Sequence, residues 1–334
     1  MGGRGESLVQ TIGIESWSFA EQLPGTVERI WVRALELLTG PVLLPAFAFA
    51  GAEPGPTFVA VAGVHGDEYE GMAAMRQIAR ELDVARMRGR FVAIPVANPL
   101  AYEARARVAP LHLDGLNLAR IFPGAADGSP SRLLAHRLLG LLERNLGPND
   151  VFLDFHSGSA AVAYARMVGF RDVAGPHTER AEELARHTGI ERLWRIPDSQ
   201  GPFNAETARR GHVTLGTETT GRAGCEPEDV AAYAALLRNV LAYLGITPEA
   251  SAPARCDAPV RPTVEVVSPA VGFFEAARRL QDEIEAGDSI GTIVDLFGDP
   301  VAEISAPIAG SIWAMRAMPP VRIGELICSI AERR

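Results

Sequence analysis

The sequence predicts an α/β fold, a mostly parallel sheet covered by helices on both faces, followed by a small all-β domain. Through residues 51–245, short apolar runs alternate with stretches of helical periodicity, the order that a sheet with crossover helices requires. After Gly245 the texture changes to short apolar runs broken by Gly and Pro, the pattern of small β domains. A chain of 334 residues, 47% hydrophobic and 22% charged, is long enough to give each unit its own core.

Residues 57–63 (TFVAVAG) read as a buried strand, because an unbroken apolar run of this length suits a sheet packed on both sides. Residues 70–82 follow as a helix, and residues 90–97 (RFVAIPVA) as the next strand. Ser129 and Pro130 read as an N-cap and first-turn proline, where the missing N–H has no helical partner to lose, and open a helix that runs to Leu146. Val151–Phe155 (VFLDF) is a strand, residues 178–187 an amphipathic helix and residues 212–218 (HVTLGTE) a further strand. Glu226 and Pro227 start a long helix that Gly245 stops. Residues 1–50 stand apart as an N-terminal extension, 51–245 as the main domain, 246–262 as a Pro- and Ala-rich linker, and 263–334 as the β-rich C-terminal domain. In that last part, AGDSIGTIVDLFGDPVAEISAPIAGSIWAM resembles the hammerhead of biotinyl and lipoyl carrier domains.

Composition narrows the chemistry. The formal charge of −9 speaks against a broad grip on a phosphate backbone, so nucleic acid is not an expected partner. All 32 basic residues are Arg, which removes Schiff-base chemistry, Walker-type phosphate loops and any lysine-linked carrier role for the tail. Cys225, Cys256 and Cys328 are scattered and form no CxxC, so neither a zinc knuckle nor a disulfide framework is expected. The N-terminus shows no apolar signal core, and PVLLPAFAFAGA is too short and proline-broken to span a bilayer. A cytoplasmic protein with no membrane partner is the expectation.

His65-Gly66-Asp67-Glu68 follows a predicted strand directly, and a His and a carboxylate at this spacing on a strand-to-helix turn can reach one ion. His156 follows VFLDF at the end of another predicted strand, on the rim where open α/β sheets carry their sites. Two His and one Glu are a common catalytic zinc set that leaves a position for water. Asp154 shares a strand face with His156 and is placed to orient its ring. Glu218 ends HVTLGTE on the same rim, where a carboxylate can serve as general base, with Asp67 and Glu70 in reserve.

Four segments in order, VAGVHGDEYEG, ANPLAYEARARVAPLHLDGLNLARIFPG, DFHSG and TLGTETTG, resemble the succinylglutamate desuccinylase/aspartoacylase family of zinc carboxypeptidase-like deacylases. The resemblance implies the matching fold, one Zn2+ per chain on His65, Glu68 and His156, and Glu218 as base. It further implies that Arg107 polarises the scissile carbonyl and that Asn117 and Arg120 bind a substrate carboxylate. Where the family reads Asn-Leu-Asn-Arg, this chain reads Asn117-Leu118-Ala119-Arg120, so one amide is missing from that motif. Arg105 reads as a solvated surface residue, and Arg222 stays open between surface and site.

The expected activity is zinc-dependent hydrolysis of the linear amide of a small N-acyl amino acid or related compound. Its alternatives are a carboxypeptidase-like peptidase and a non-catalytic binding protein that keeps the metal. A homo-oligomer is left open.

Overall fold

The computed structural model describes residues 9–248 and 254–333, so part of the expected linker lies outside the described residues, as do residues 1–8 and Arg334. The strands Gln10–Gly13 (β1), Thr26–Leu37 (β2) and Gly40–Ala50 (β3) come first. β2 and β3 form an antiparallel hairpin, and β3 is the apolar run PVLLPAFAFA. Residues 10–50, set apart in the sequence as an extension, therefore contribute strands to the central sheet.

The chain continues through Glu53–Val61 (β4), Glu70–Glu81 (α1), Arg88–Ile94 (β5), Pro99–Glu103 (α2), Pro130–Asn145 (α3) and Val151–Phe155 (β6). Val162–Tyr164 (β7), Met167–Arg171 (β8), Pro176–Arg186 (α4), Leu193–Ile196 (β9), Phe203–Arg209 (α5), Val213–Glu218 (β10), Pro227–Tyr243 (α6) and Val260–Arg261 (β11) complete the main body.

Ten strands form one sheet in the order β1-β2-β3-β5-β4-β6-β10-β8-β9-β11. The four strands legible in the sequence are its centre, β5-β4-β6-β10, and every joint among them is parallel. Antiparallel joints occur only where other strands enter, at β2–β3, β3–β5 and β8–β10, so the whole sheet is mixed. Alternation along β4 shows how both faces are filled. Phe58 and Ala60 pack with Met72, Met75 and Ile78 of α1, whereas Val59 and Val61 pack in the layer holding Leu134, Leu138 and Leu142 of α3.

The tail comprises Thr263–Val267 (β12), Gly272–Ala276 (β13), Glu283–Ile284 (β14), Ser289–Val294 (β15), Pro300–Ser305 (β16), Gly310–Arg316 (β17), Pro320–Val321 (β18) and Leu326–Glu332 (β19). These make two antiparallel sheets around a core that includes Phe274, Ile293, Ile312 and Ile330. One of the sheets takes a strand from the main body: β7 pairs antiparallel with β17, Tyr164 opposite Ala314. The N–H of Ala165 donates to Trp313 O at 2.7 Å, and Trp313 packs with Met167 and Trp194 beneath the ladder. The tail is thus joined to the main body of its own chain by backbone hydrogen bonds as well as by sequence. Among the described residues, no helix is long and apolar enough to cross a membrane.

Candidate metal centre and substrate pocket

Three neighbouring parallel strands carry the candidate site. β4, β6 and β10 end on one rim, with Val61 beside Asp154 and Phe155 beside Thr217. His65 lies in the loop after β4, His156 is the first residue after β6, and Glu218 is the last of β10. The loops are locked together: His156 N–H donates to Thr217 O, and Gly158 N–H to Thr219 O, both at 3.2 Å. Gly221 crosses this loop at φ +70°, and an added Cβ would fall 2.2 Å from Gly158 N, so the crossing admits only glycine. Gly66 pins the His65 turn against α2, since a Cβ there would meet Ala101 C at 2.0 Å.

His65 Nδ1 lies 2.7 Å from Glu68 Oε1, and His156 Nδ1 lies 2.9 Å from Glu68 Oε2. The two Nδ1 atoms are 3.2 Å apart, and one donor atom from each of the three side chains falls within 4.8 Å of the others. Both rings are held from behind through their other nitrogen: His65 Nε2 is 3.1 Å from Asn117 Oδ1, and His156 Nε2 is 3.1 Å from Asp154 Oδ2. Because both outer partners are hydrogen-bond acceptors, they favour the tautomers that aim Nδ1 lone pairs inward. Two inward lone pairs and a carboxylate crowded together repel one another unless a cation sits among them. The donor set therefore fits a metal ion, and its two-His, one-Glu chemistry suits zinc.

Burial and neighbouring charges act on all three groups. Burial holds the His65 ring down to about 4, Glu68 opposing. Burial also works against a charged His156, but the carboxylates of Asp154 and Glu68 outweigh it and hold that ring well above the usual value. Glu68 is buried too, yet His65 and His156 keep its carboxyl well below the ordinary range.

Asp154 also accepts a hydrogen bond from Asn204 Nδ2 at 3.0 Å, so it stands between the His156 ring and α5. Asp154→Asn is expected to weaken metal affinity by about 10–100-fold, since the neutral amide no longer fixes the ring as firmly. Chelator competition measures this, and unchanged affinity would remove Asp154 from the ligand's support.

Arg107 Nη1 donates to Glu68 Oε1 at 2.9 Å and to Ser159 Oγ at 2.5 Å. Ser159 Oγ itself donates to Glu68 Oε1 at 2.6 Å. Glu218 stands differently. It is half-buried on the pocket wall, and its Oε2 is buried without a hydrogen-bond partner among the described residues. Burial, then the like charge of Glu68, push its carboxyl well above the usual range.

His65, His156, Arg107 and Glu218 line one cavity of about 390 Å³ that extends to Ala119 and Arg120. Arg120 is exposed at its wall and donates only to the carbonyl of Ala119, at 2.9 Å. Asn117 is placed differently from the sequence expectation: its amide oxygen faces His65 Nε2 and also accepts from Ala119 N–H at 3.0 Å, so it stands behind the ring and outside the cavity wall. Arg105 and Arg222 are exposed and line no part of the cavity.

The wall also contains residues the sequence reading did not single out. Arg171, the last residue of β8, donates from Nε to Asn204 Oδ1 at 2.7 Å and from Nη1 to Pro197 O at 2.8 Å. Burial lowers its pKa to about 10. Tyr164 and Trp194 add aromatic surface, and Thr263 and Glu265 reach in from the tail. The one signal for Arg171 is positional: MVGFR, like VFLDFH, is an apolar run ending in a charged group at a strand's end.

Known proteins resemble this chain over most of its length. A family model described as the succinylglutamate desuccinylase/aspartoacylase catalytic domain matches residues 54–244. An N-alpha-acetyl-L-2,4-diaminobutyric acid deacetylase from Halomonas elongata is 29% identical over 313 residues, 88% of this chain and 86% of the relative. A succinylglutamate desuccinylase/aspartoacylase from Rhodobacter sphaeroides superposes with TM-score 0.80 at 27% identity, over 92% of this chain and 96% of that one. The product-bound ectoine utilization protein from Ruegeria pomeroyi shares the fold at TM-score 0.81 and 23% identity, over 93% and 98% of the two chains.

Proposed function

Because the chain belongs to the succinylglutamate desuccinylase/aspartoacylase family, we propose that it is a zinc-dependent deacylase that cleaves the amide of a small N-acyl amino acid. One observation carries this reading: the two histidines of a three-ligand metal set and a carboxylate with an unpartnered oxygen line the same cavity. His65, Glu68 and His156 would hold the ion. Zinc bound there supplies Lewis acidity, polarising an amide carbonyl and making water acidic enough to lose a proton near neutral pH.

The side chains do the rest. Glu218 accepts the proton of the attacking water and passes it to the amide nitrogen as the C–N bond breaks, so the products are a carboxylate and an amine. Arg107, already on the cavity wall, places positive charge where the carbonyl oxygen becomes anionic. Arg120 and Arg171 offer guanidinium groups to the substrate's own carboxylate. Ala119 gives that end a smooth wall in place of an amide, which leaves the two arginines as its charged donors. The tail, which resembles a biotinyl or lipoyl hammerhead but has no lysine to modify, acts as a wall of the pocket.

The test is metal analysis of the purified protein combined with hydrolysis of N-acetyl amino acids before and after chelation. Zinc near one equivalent per chain, loss of activity on chelation and its return with zinc are expected. Hydrolysis of short peptides with no release from N-acyl amino acids would favour a carboxypeptidase-like activity, and bound zinc with no turnover a binding protein.

A further inference from the structure

An unbroken chain of side chains joins the arginine wall of the cavity to the metal ligands. Arg171 Nε donates to Asn204 Oδ1 at 2.7 Å, and Asn204 Nδ2 donates to Asp154 Oδ2 at 3.0 Å. The same Asp154 oxygen lies 3.1 Å from His156 Nε2. A guanidinium only donates and an ionised carboxylate only accepts, so the group between them must do both. A side-chain amide does so without adding charge, and one orientation of Asn204 satisfies both neighbours.

The sheet is shaped to receive this amide. Asp154 of β6 stands beside Gly216 of β10, and Gly216 beside Gly169 of β8, in one row across the strands. Arg171 lies two residues beyond Gly169 and shares its face. Gly216 leaves the row bare beside the acid and Asn204 of α5 fills the space, since a Cβ on Gly216 would fall 3.0 Å from Asn204 Nδ2. Phe203, the preceding residue, pins α5 by stacking on Phe122, ring centroids 4.3 Å apart, and by packing on Phe152 at 4.8 Å. Asp154 needs such a hold. Its Oδ1 is buried with no hydrogen-bond partner among the described residues, and the torsion of a carboxylate is soft. Asn204 therefore sets the plane in which Oδ2 meets the His156 ring. At the far end, Pro197 O and Ser199 Oγ take Arg171 Nη1, and Nη2 has no partner among the described residues.

We propose that Asn204 is a positioning residue for both ends of the reaction: it aims Arg171 into the cavity and, through Asp154, steadies the His156 ring on the metal. This rests on the deacylase reading and deepens it. Arg171 can influence the metal by two routes of opposite sign. Through space its charge opposes a cation on His156, whereas through Asn204 it steadies the ligand. A substitution that keeps the charge and removes the Nε donor separates the two.

Zinc affinity of the full-length protein, measured by chelator competition, reads this chain without recourse to turnover. Asn204→Leu should weaken zinc by about three- to tenfold, as one hydrogen bond to the supporting acid is lost. It should raise KM for an N-acetyl amino acid by a similar factor relative to the carboxamide of the same compound, which carries no charge for Arg171 to hold. Arg171→Lys should weaken zinc by about threefold in the parent and by nothing further in the Asn204→Leu background. It also carries the test alone if Asn204→Leu does not fold. Unchanged zinc affinity in these variants, or an Arg171→Lys effect that survives Asn204→Leu, overturns the proposal. A lowered Tm with zinc affinity and KM ratio intact does the same, by making Asn204 a packing residue only. In each of these cases the deacylase reading stands if the parent binds zinc and releases acetate. A parent that binds no zinc, or hydrolyses nothing when loaded, overturns that reading and this proposal with it.

Discussion

Replacing His65 or His156 with Ala is expected to leave a folded protein that has lost its metal and its turnover. Each substitution removes one of three inward donors, and the two that remain hold zinc poorly. Neither histidine belongs to the apolar layers on the two faces of the sheet, so the cores that stabilise the fold are untouched. The variants should therefore unfold cooperatively near the parent's Tm in its metal-free form. Metal content by elemental analysis is the decisive measurement, and full zinc occupancy in either variant would dismiss the ligand set. The His156 variant should also disturb Asp154, which would lose the ring it supports and keep only Asn204.

Glu218→Gln is expected to lower turnover by roughly 10²–10⁴-fold while zinc stays bound. Gln preserves shape but cannot accept and return a proton. Two acids stood in reserve from the sequence, and the structure commits both to other work. Asp67 Oδ2 accepts the Ala160 N–H at 3.0 Å, and Glu70 Oε2 accepts the Ser157 hydroxyl at 2.8 Å. Neither lines the cavity. Near-normal turnover in the Gln variant would thus leave no carboxylate among the described cavity residues except Glu265, and would shift the search for the base to the tail.

What could be read from the sequence follows a physical divide. The central strands were legible because a strand buried on both faces must be apolar throughout, and TFVAVAG and VFLDF are nearly so. β2 is not legible because its exposed face carries Arg29 and Arg33 between the buried Ile30, Val32 and Ala34, and that alternation dilutes the signal. The same divide runs through the site. His65, His156 and Glu218 announce themselves by standing at the ends of apolar runs, whereas Asn117 reveals its contact with His65 only once the chain between them has folded. Arg171 and Glu265 are ordinary charged residues until β8 and β12 bring them to one wall.

The ladder between β7 and β17 has a consequence for synthesis. Tyr164 and its partner Ala314 are separated by nearly half the chain, and Glu265 belongs to a domain whose last strand, β19, runs to Glu332. A nascent chain on the ribosome carries β4, β6 and β10 long before the opposite wall exists. A chain ending at Gly245 would leave β7 without its ladder partner, β9 without β11 and Met167 without Trp313. Full-length translation therefore completes the main sheet and the pocket wall together.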